Sequence, residues 1–433
     1  MKWQENHRKA MVLKIGVLCG ILAAIWYILP GGRGLYAVAS VLQEWMEGAG
    51  WEPEMGEVPA SYLEQGIDGT EIVTSTGYRY EDKFQDTLSR YRYFASLYQP
   101  EYSTAVPGLE STDVLGSRCG QMVPQGICIA GDYMLVTAYD NSKKMVARKR
   151  RPGYQPNRSV VYVLSNRDPR NRTLLATIVL PDANHVGGIA FDGQNVWIAK
   201  STDRMCSMIS YDVIEEAVNA KTGSYELSEY DQDVPCGAIA SFVTYFDGKL
   251  WVGTYRNAKD RTGSLRSYRI ATEAVDGTPE YRLELQDELV IPEYANGAAF
   301  TELGGKVYLA VSTSKGRYFH SKIYFYQVQN DRNTGRDLYY CYGIRKFPPM
   351  SEELVCYGNQ VFLLFESAAT CYSQRSYRTC SYLVDRICAF SASDMFWQGS
   401  IERIREAAPR LERMIKLAQE ERYQEKRYWM ARG

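Results

Sequence analysis

Polar side chains recur at matching positions of this 433-residue sequence, each a few residues after a proline and just before or at the start of an apolar stretch. They are Gln125, His185, Ser241, Asn296 and Glu352. Amide, hydroxyl, imidazole and carboxyl groups can hold a polar ligand by hydrogen bonds. An imidazole or a carboxyl can also transfer a proton. We therefore take these five residues as the candidate ligand-binding set.

A cation-assisted hydrolase of the lactonase type would need several oxygen ligands around one hard ion such as Ca²⁺. The sequence offers Glu352, Asn296, Glu366 and Asp140 for this purpose. Only Glu352 among them is a carboxyl within the candidate set. With three His in the chain and no CxxC motif, a Cys/His zinc site is not expected. The cofactor stays open, with Ca²⁺ as the ion to test.

Other enzyme chemistries find less support. A glycosidase needs two placed carboxyls, and Asp192 and Asp247 lie in short turns, where Asp commonly serves the backbone. The motifs GxSxG, HExxH and GxGxxG and the P-loop do not occur. No catalytic residue is predicted, and the sequence favours binding over catalysis.

Five related segments set the positions of the candidate residues. Each begins with a proline and continues through an apolar strand, a two-residue turn and a second strand. The prolines, separated by 57, 54, 57 and 57 residues, are Pro124, Pro181, Pro235, Pro292 and Pro349. The turns, which suit positive φ, are Gly131-Asp132, Asp192-Gly193, Asp247-Gly248, Gly304-Gly305 and Gly358-Asn359. Third and fourth strands follow, as in "SVVYVLS" and "TLLATIVLP". This period predicts an all-β fold, a five-bladed β-propeller.

The fifth segment has three strands before the chain turns helical after Ser393. We expect residues 102–108 to supply its fourth strand and close the ring. Six blades are the alternative, if residues 66–75 form a hairpin. Because the first strand of each blade lines the central channel, the candidate set should lie at the channel mouth.

The first residues predict membrane attachment. An apolar run covers residues 11–29 and follows a basic N-terminus, which indicates a single-pass signal-anchor with the remainder outside the cytoplasm. The alternative is a secreted protein cleaved near Ala39. The predicted organisation is a cytoplasmic end (1–10), a transmembrane helix (11–29), a linker with a helical segment (30–101), the propeller (102–393) and a charged helix (394–433).

The charge and cysteine content of the chain limit which classes of partner and which disulfides are expected. Lys and Arg number 50 and Asp and Glu 51, so no global field draws nucleic acid. A polar small molecule, a glycan or a protein is the expected partner. Outside the cytoplasm disulfides are permitted, and Cys371–Cys380 is the first expected pair, ahead of Cys341–Cys356. Loop residues that could form a recognition surface are Tyr139, Tyr255, Arg256, Arg317, Tyr318 and His320.

The stretches "HVGGIAFDGQNVWIA" and "FVTYFDGKLWVGTY" resemble extracellular β-propellers of the YVTN and gluconolactonase-like grouping, and also exported propellers of Gram-positive bacteria. The resemblance covers residues 102–393. The resemblance implies a propeller fold. The grouping includes lactonases that use a divalent cation, but the fold alone does not determine the activity. The sequence thus predicts a membrane-anchored binder of a ligand or partner. The alternatives are a cation-assisted hydrolase at the channel mouth and a scaffold for a membrane complex.

Overall fold

The computed structural model describes residues 78–109, 112, 119–141, 156–257, 262–332, 335–374 and 379–397. Five antiparallel sheets make up most of this part of the chain. The innermost strand of each sheet contacts that of the next, and the fifth contacts the first, so the sheets form a closed ring. The fold is a five-bladed β-propeller, as the repeat predicted.

The blades follow one another along the chain, and each is read from its inner strand outward. Blade 1 consists of β2 (Met122–Ala130), β3 (Tyr133–Asp140), β4 (Val160–Ser165), β5 (Leu174–Val179) and β9 (Ser224–Glu226). Blade 2 consists of β6 (Val186–Phe191), β7 (Asn195–Lys200), β8 (Met205–Ser210) and β10 (Gln232–Pro235). Blade 3 consists of β11 (Phe242–Phe246), β12 (Lys249–Thr254), β13 (Gly263–Val275) and β14 (Thr278–Ile291). Blade 4 consists of β15 (Ala295–Leu303), β16 (Lys306–Thr313), β17 (Ser321–Asn330) and β18 (Asp337–Phe347). Blade 5 consists of β19 (Ser351–Tyr357), β20 (Gln360–Phe365), β21 (Arg386–Ser391) and β1 (Thr104–Ala105).

The predicted two-residue turns all join the first two strands of a blade. Asp247 has φ of 52° and Gly248 φ of 71°, the left-handed conformation that a tight hairpin requires at both central positions. These turns fix the register of each inner hairpin. They therefore also determine at which end of the inner strand the candidate polar residues lie.

The ring is closed by the N-terminal strand, as expected. β1 pairs with β21 in antiparallel fashion, with Thr104 opposite Ile387 and Ala105 opposite Arg386. Blade 5 is therefore built from both ends of the described chain. This closure leaves no gap between the first and last blades through which the ring could open.

Helices pack on the outside of the ring. The helix expected over residues 81–98 is divided into α1 (Glu81–Arg90) and α2 (Arg92–Leu97) by a non-helical residue, Tyr91. Phe84 and Phe94 are fully buried against blades 4 and 5. The other helices are α3 (Tyr211–Asn219), α4 (Thr370–Ser373) and α5 (Ala392–Trp397).

Arg386 attaches the helical segment to blade 5. Its guanidinium lies between the rings of Tyr78 and Phe84, 3.6 and 3.7 Å from their centroids. It also pairs with Asp385 at 2.9 Å and Glu81 at 2.8 Å. A buried guanidinium held by two carboxylates and two rings fixes residues 78–90 in place.

Several predicted segments lie outside the described residues: the apolar run 11–29, the hairpin candidate 66–75 and the charged tail 401–428. Within the described ranges, no helix combines the length and the apolar character needed to cross a bilayer.

The expected disulfides are not formed. All nine cysteines in the described part of the chain are free thiols. Cys380 Sγ lies 3.6 Å from the Arg317 carbonyl oxygen, while Asn141 Nδ2 donates to Cys371 Sγ at 3.4 Å. Cys206 and Cys236 do share a hydrogen bond. Cys206 lies on β8, and Cys236 directly follows the neighbouring strand β10. Proximity along the chain was therefore a poor guide to sulfur contacts.

Candidate functional site

The candidate residues lie on one face of the ring, here called the mouth face. On this face the inner strands begin and the second strands end, because the two strands of each hairpin are antiparallel. His185 and Ser241 directly precede β6 and β11, while Asn296 and Glu352 are the second residues of β15 and β19. Gln125 is the fourth residue of β2. Their functional roles remain predictions at this point.

Two carboxyl groups meet at the centre of the mouth. Glu352 on β19 and Glu366 just after β20 are joined by a side-chain hydrogen bond. Burial raises the pKa of Glu352 well above its usual value, and the negative charge of Glu366 raises it further. A neutral Glu352 can donate its proton to the Glu366 carboxylate. The two groups therefore form one acid pair, which is called the carboxyl pair below.

Amide side chains from two other blades hold the carboxyl pair. Gln125 Nε2 donates to Glu366 Oε2 at 3.0 Å, and Asn296 Nδ2 donates to Glu352 Oε1 at 3.2 Å. Each carboxyl group thus accepts one amide N–H in addition to their mutual bond. Three of the five candidate residues, Gln125, Asn296 and Glu352, are brought together in this cluster.

Two tyrosines line the cluster on the side of blade 1. Burial raises the pKa of the Tyr139 hydroxyl, and the charge of Glu366 raises it further. Tyr372 behaves in the same way and also accepts a hydrogen bond from Asn141 Nδ2 at 3.3 Å. Both hydroxyls therefore stay neutral at physiological pH and can donate or accept a hydrogen bond. The guanidinium of Arg317 lies 4.8 Å from the centroid of the Tyr372 ring.

His185 joins the cluster through a ring contact. Its imidazole lies 4.5 Å from the centroid of the Tyr139 ring, tilted by 53°. Its Nδ1 lies 3.3 Å from Ser201 Oγ. The ring is half-buried and so forms part of the wall of the mouth beside blade 2.

Ser241 serves the backbone instead. Its hydroxyl oxygen accepts the backbone N–H of Tyr255 at 3.0 Å. Its carbonyl oxygen lies 2.0 Å from the point that a Cβ on Gly187 would occupy, so the neighbouring inner strand passes very close. Ser241 thus ties the start of β11 to the end of β12 within blade 3 and packs closely on Gly187 of blade 2.

Glu353, which the sequence interpretation overlooked, closes the channel below the carboxyl pair. Its fully buried carboxyl accepts backbone N–H bonds from Ile127 at 2.8 Å, Ile189 at 3.0 Å and Val243 at 3.3 Å. These donors belong to the inner strands of three different blades. Burial raises the pKa of Glu353, and the three N–H donors oppose this rise because they stabilise the carboxylate.

Glycines make room for this central carboxyl. A Cβ on Gly188 would lie 2.7 Å from Glu353 Oε1, and one on Gly297 would lie 2.5 Å from Glu353 Cα. The glycines after His185 are thus required by close packing at the axis. The signal that could have revealed Glu353 is the occurrence of two acidic residues at the start of the otherwise apolar strand β19.

Other sequence candidates have different positions. Asp140 is buried and accepts both the backbone and side-chain N–H groups of Asn157 at 2.8 Å. His320 faces the helical segment, where its Nδ1 lies 2.6 Å from the Tyr91 hydroxyl. Its part in a recognition surface stays a prediction. Asp192 accepts N–H bonds from Gln194, Asn195 and Trp197, which confirms its role in a turn.

A metal would have to be held mainly by the carboxyl pair with Gln125 and Asn296. Within the described residues no group of three or more His, Cys, Asp and Glu side chains is arranged to hold an ion. What the arrangement offers directly is a buried polar cluster of two carboxyl groups, two amides and two hydroxyls.

No protein-family model matches the chain, and no curated protein matches it. Among solved structures it is similar to a GH43_1 enzyme from Xanthomonas citri, with 11% identity over 69% of this chain and 92% of that one and a TM-score of 0.37. It is also similar to a glutaminyl cyclase from Myxococcus xanthus, with 12% identity over 63% and 90% of the two chains and a TM-score of 0.32. A putative 6-phosphogluconolactonase from Bacteroides uniformis shows 14% identity over 58% and 79%, with a TM-score of 0.28.

Likenesses this loose carry no argument about activity. The propeller assignment rests on the five sheets of the chain itself. Membership of the YVTN and gluconolactonase-like grouping, and a Gram-positive origin, stay predictions.

Proposed function

We propose that this protein is an extracytoplasmic β-propeller, anchored in the cell membrane through residues 11–29, that binds a polar ligand at the channel mouth. The observation that carries the proposal is the cluster around the carboxyl pair. Side chains from blades 1, 4 and 5 converge there, and the groups are buried, polar and mutually oriented. Convergent polar groups that can orient a ligand are a common part of small-molecule sites.

The chemistry of the mouth favours a sugar ring. The carboxyl pair, the amides and the tyrosine hydroxyls supply both donors and acceptors, which suits a ligand with several hydroxyls. The adjoining rings of His185 and Tyr139 offer an apolar face beside them. A glycan or a small sugar derivative is therefore the first ligand class to test.

A second function is favoured by the shared proton. A buried carboxyl pair with one raised pKa is a common source of general acid and base in enzymes. An inverting glycosidase holds its two carboxyl groups apart with a water between them, whereas Glu352 and Glu366 share a hydrogen bond. In an enzyme, the pair would instead give a proton to the bound ligand and take one back. In the cation-assisted version, Ca²⁺ would have to displace the shared proton, so its affinity should rise with pH.

The binding proposal is tested by thermal unfolding of the full chain in mild detergent with neutral sugars, cell-wall fragments and Ca²⁺. A ligand present at about 100 times its Kd adds roughly 2.7 kcal/mol of stability. The test variant is His185→Ala, which removes one wall of the mouth. The matched control is His320→Ala, which removes the same side chain where it contacts Tyr91 instead of the Tyr139 ring. We expect the ligand-induced shift to fall in the first variant and to persist in the second.

Binding and catalysis are separated by Glu352→Gln, which keeps the shape of the side chain and removes the acid. A binder keeps most of its ligand-induced shift in this variant, whereas an enzyme loses turnover while it stays folded. If the parent chain responds to nothing in the panel, the scaffold alternative replaces both. Anchoring is tested by membrane extraction of the chain with and without residues 1–29.

A further inference from the structure

A second polar pocket lies on the mouth face, farther from the axis than the carboxyl pair. It has a volume of about 310 Å³ and is lined by residues that precede β8 and β11, follow β12 and belong to β13 and β14. It therefore lies between blades 2 and 3. Because it is formed by the ends of second strands and the beginnings of inner and third strands, it opens on the same face as the mouth.

The pocket is strongly cationic. Three guanidinium groups, from Arg204, Arg256 and Arg266, line it together with one carboxylate, that of Glu288. Within the described residues only Arg266 among the three has a carboxylate partner, at 3.1 Å from Glu288 Oε1. Among the described lining residues, three positive charges therefore face one negative charge.

The fold holds the backbone of two of the arginines in place. Arg266 belongs to β13, between Val252 on β12 and Glu288 on β14. The Arg256 carbonyl accepts the backbone N–H of Tyr294 at 2.8 Å. Arg204, which is exposed, directly precedes β8 on the other side of the pocket.

One further feature of the pocket is unusual. Arg204 has φ of 60°, a left-handed conformation that is uncommon for a residue with a side chain. Because Arg266 Nε already lies 3.1 Å from Glu288 Oε1, the positive charge that is left for an anion comes from Arg204 and Arg256.

We propose that this pocket binds the phosphate monoester group of a phosphorylated small molecule. The planar guanidinium fork matches the oxygens of a phosphate, and a monoester carries nearly two negative charges at neutral pH, which balances the pocket. This site is separate from the carboxyl pair, so the proposal does not depend on the function proposed for the mouth.

The experiment is calorimetric titration of the full chain in detergent with inorganic phosphate, glucose 6-phosphate, glucuronate and dimethyl phosphate, each up to about 10 mM, where a Kd of 1 mM corresponds to about −4.1 kcal/mol. The first test variant is Arg204→Gly, since glycine accepts a φ of 60° and the backbone should be undisturbed. The second is Arg256→Gln. The matched control is Arg269→Gln, which removes an exposed arginine of β13 that pairs with Glu284 outside the pocket.

We expect phosphate and glucose 6-phosphate to bind the parent and the Arg269→Gln control with equal affinity. In Arg204→Gly and Arg256→Gln the affinity should fall at least tenfold without loss of thermal stability. The proposal is overturned if the parent binds neither phosphate compound, or if the pocket variants bind as well as the control. It is also overturned if glucuronate or dimethyl phosphate, each with a single charge, binds more tightly than the monoester.

Discussion

The same substitution, Glu to Gln, should have a large effect on stability at Glu353 and a small effect at the neighbouring Glu352. Glu353→Gln keeps the size of the side chain but replaces one acceptor oxygen by an NH₂ donor. In the structure, Glu353 Oε2 accepts two N–H bonds, from Ile127 and Ile189, and Oε1 accepts a third from Val243. The new NH₂ group must therefore face at least one backbone N–H at the channel axis.

The expected loss follows from that count. One backbone N–H and the amide NH₂ lose their acceptors, and each buried orphan costs about 1–3 kcal/mol. Glu353→Gln should thus lower the free energy of unfolding by about 3 kcal/mol. Glu352→Gln should change it by less than about 1 kcal/mol at pH 7, since an amide can replace a neutral carboxyl that donates to Glu366.

The assay is urea unfolding of the full chain and both variants, followed by tryptophan fluorescence, at pH 7. Equal stability of parent and Glu353→Gln would refute the idea that the central carboxyl unites three blades. If Glu352→Gln were as damaging as Glu353→Gln, the assignment of a neutral Glu352 would be wrong.

Three further outcomes are expected. Because the folded-state pKa of Glu352 is raised, its contribution to stability is full below its usual pKa and is lost as pH rises through the raised value. Urea midpoints of the parent should therefore fall relative to Glu352→Gln over that range, and parallel pH profiles would contradict this. The side chain of Lys200 is only 4% exposed and pairs with Asp182 at 2.8 Å and Asp233 at 3.4 Å. Lys200→Met should lower the free energy of unfolding by about 2 kcal/mol at pH 7. The loss should be smaller in acid, where the carboxylates are protonated. Arg386→Gln should release the helical segment, so limited proteolysis should cut residues 78–102 faster than in the parent, and an unchanged cleavage rate would show that the aromatic packing alone suffices.

The architecture was accessible from the sequence because its signals are local and repeated. Glycine or Asp at positive φ marks each inner hairpin, and the regular spacing of prolines shows that the hairpins form equivalent blades. The closing strand at Thr104–Ala105 could be predicted because the last repeat contained only three of the four strands of a blade. Turn chemistry and counting were enough for these features.

The site was only half accessible, because its contacts join residues from different blades. Glu352 was identified by its repeated position, but its bond to Glu366 depends on where β20 ends. The contact of Glu353 with three inner strands depends on the closure of the whole ring. The parallel fifth strand β9 of blade 1 likewise depends on the path of the chain after α3, and no periodic signal announces it.

The most direct measurement is the infrared spectrum of the carboxyl groups of the full chain at pH 7. A carbonyl band of a protonated carboxylic acid should be present in the parent, shift with deuteration and lose intensity in Glu352→Gln, although the buried Glu353, whose pKa is also raised, can contribute a band that remains. That result would establish a shared proton at the channel mouth. A parent spectrum without such a band, or a band that survives unchanged in Glu352→Gln, would contradict the account of the carboxyl pair.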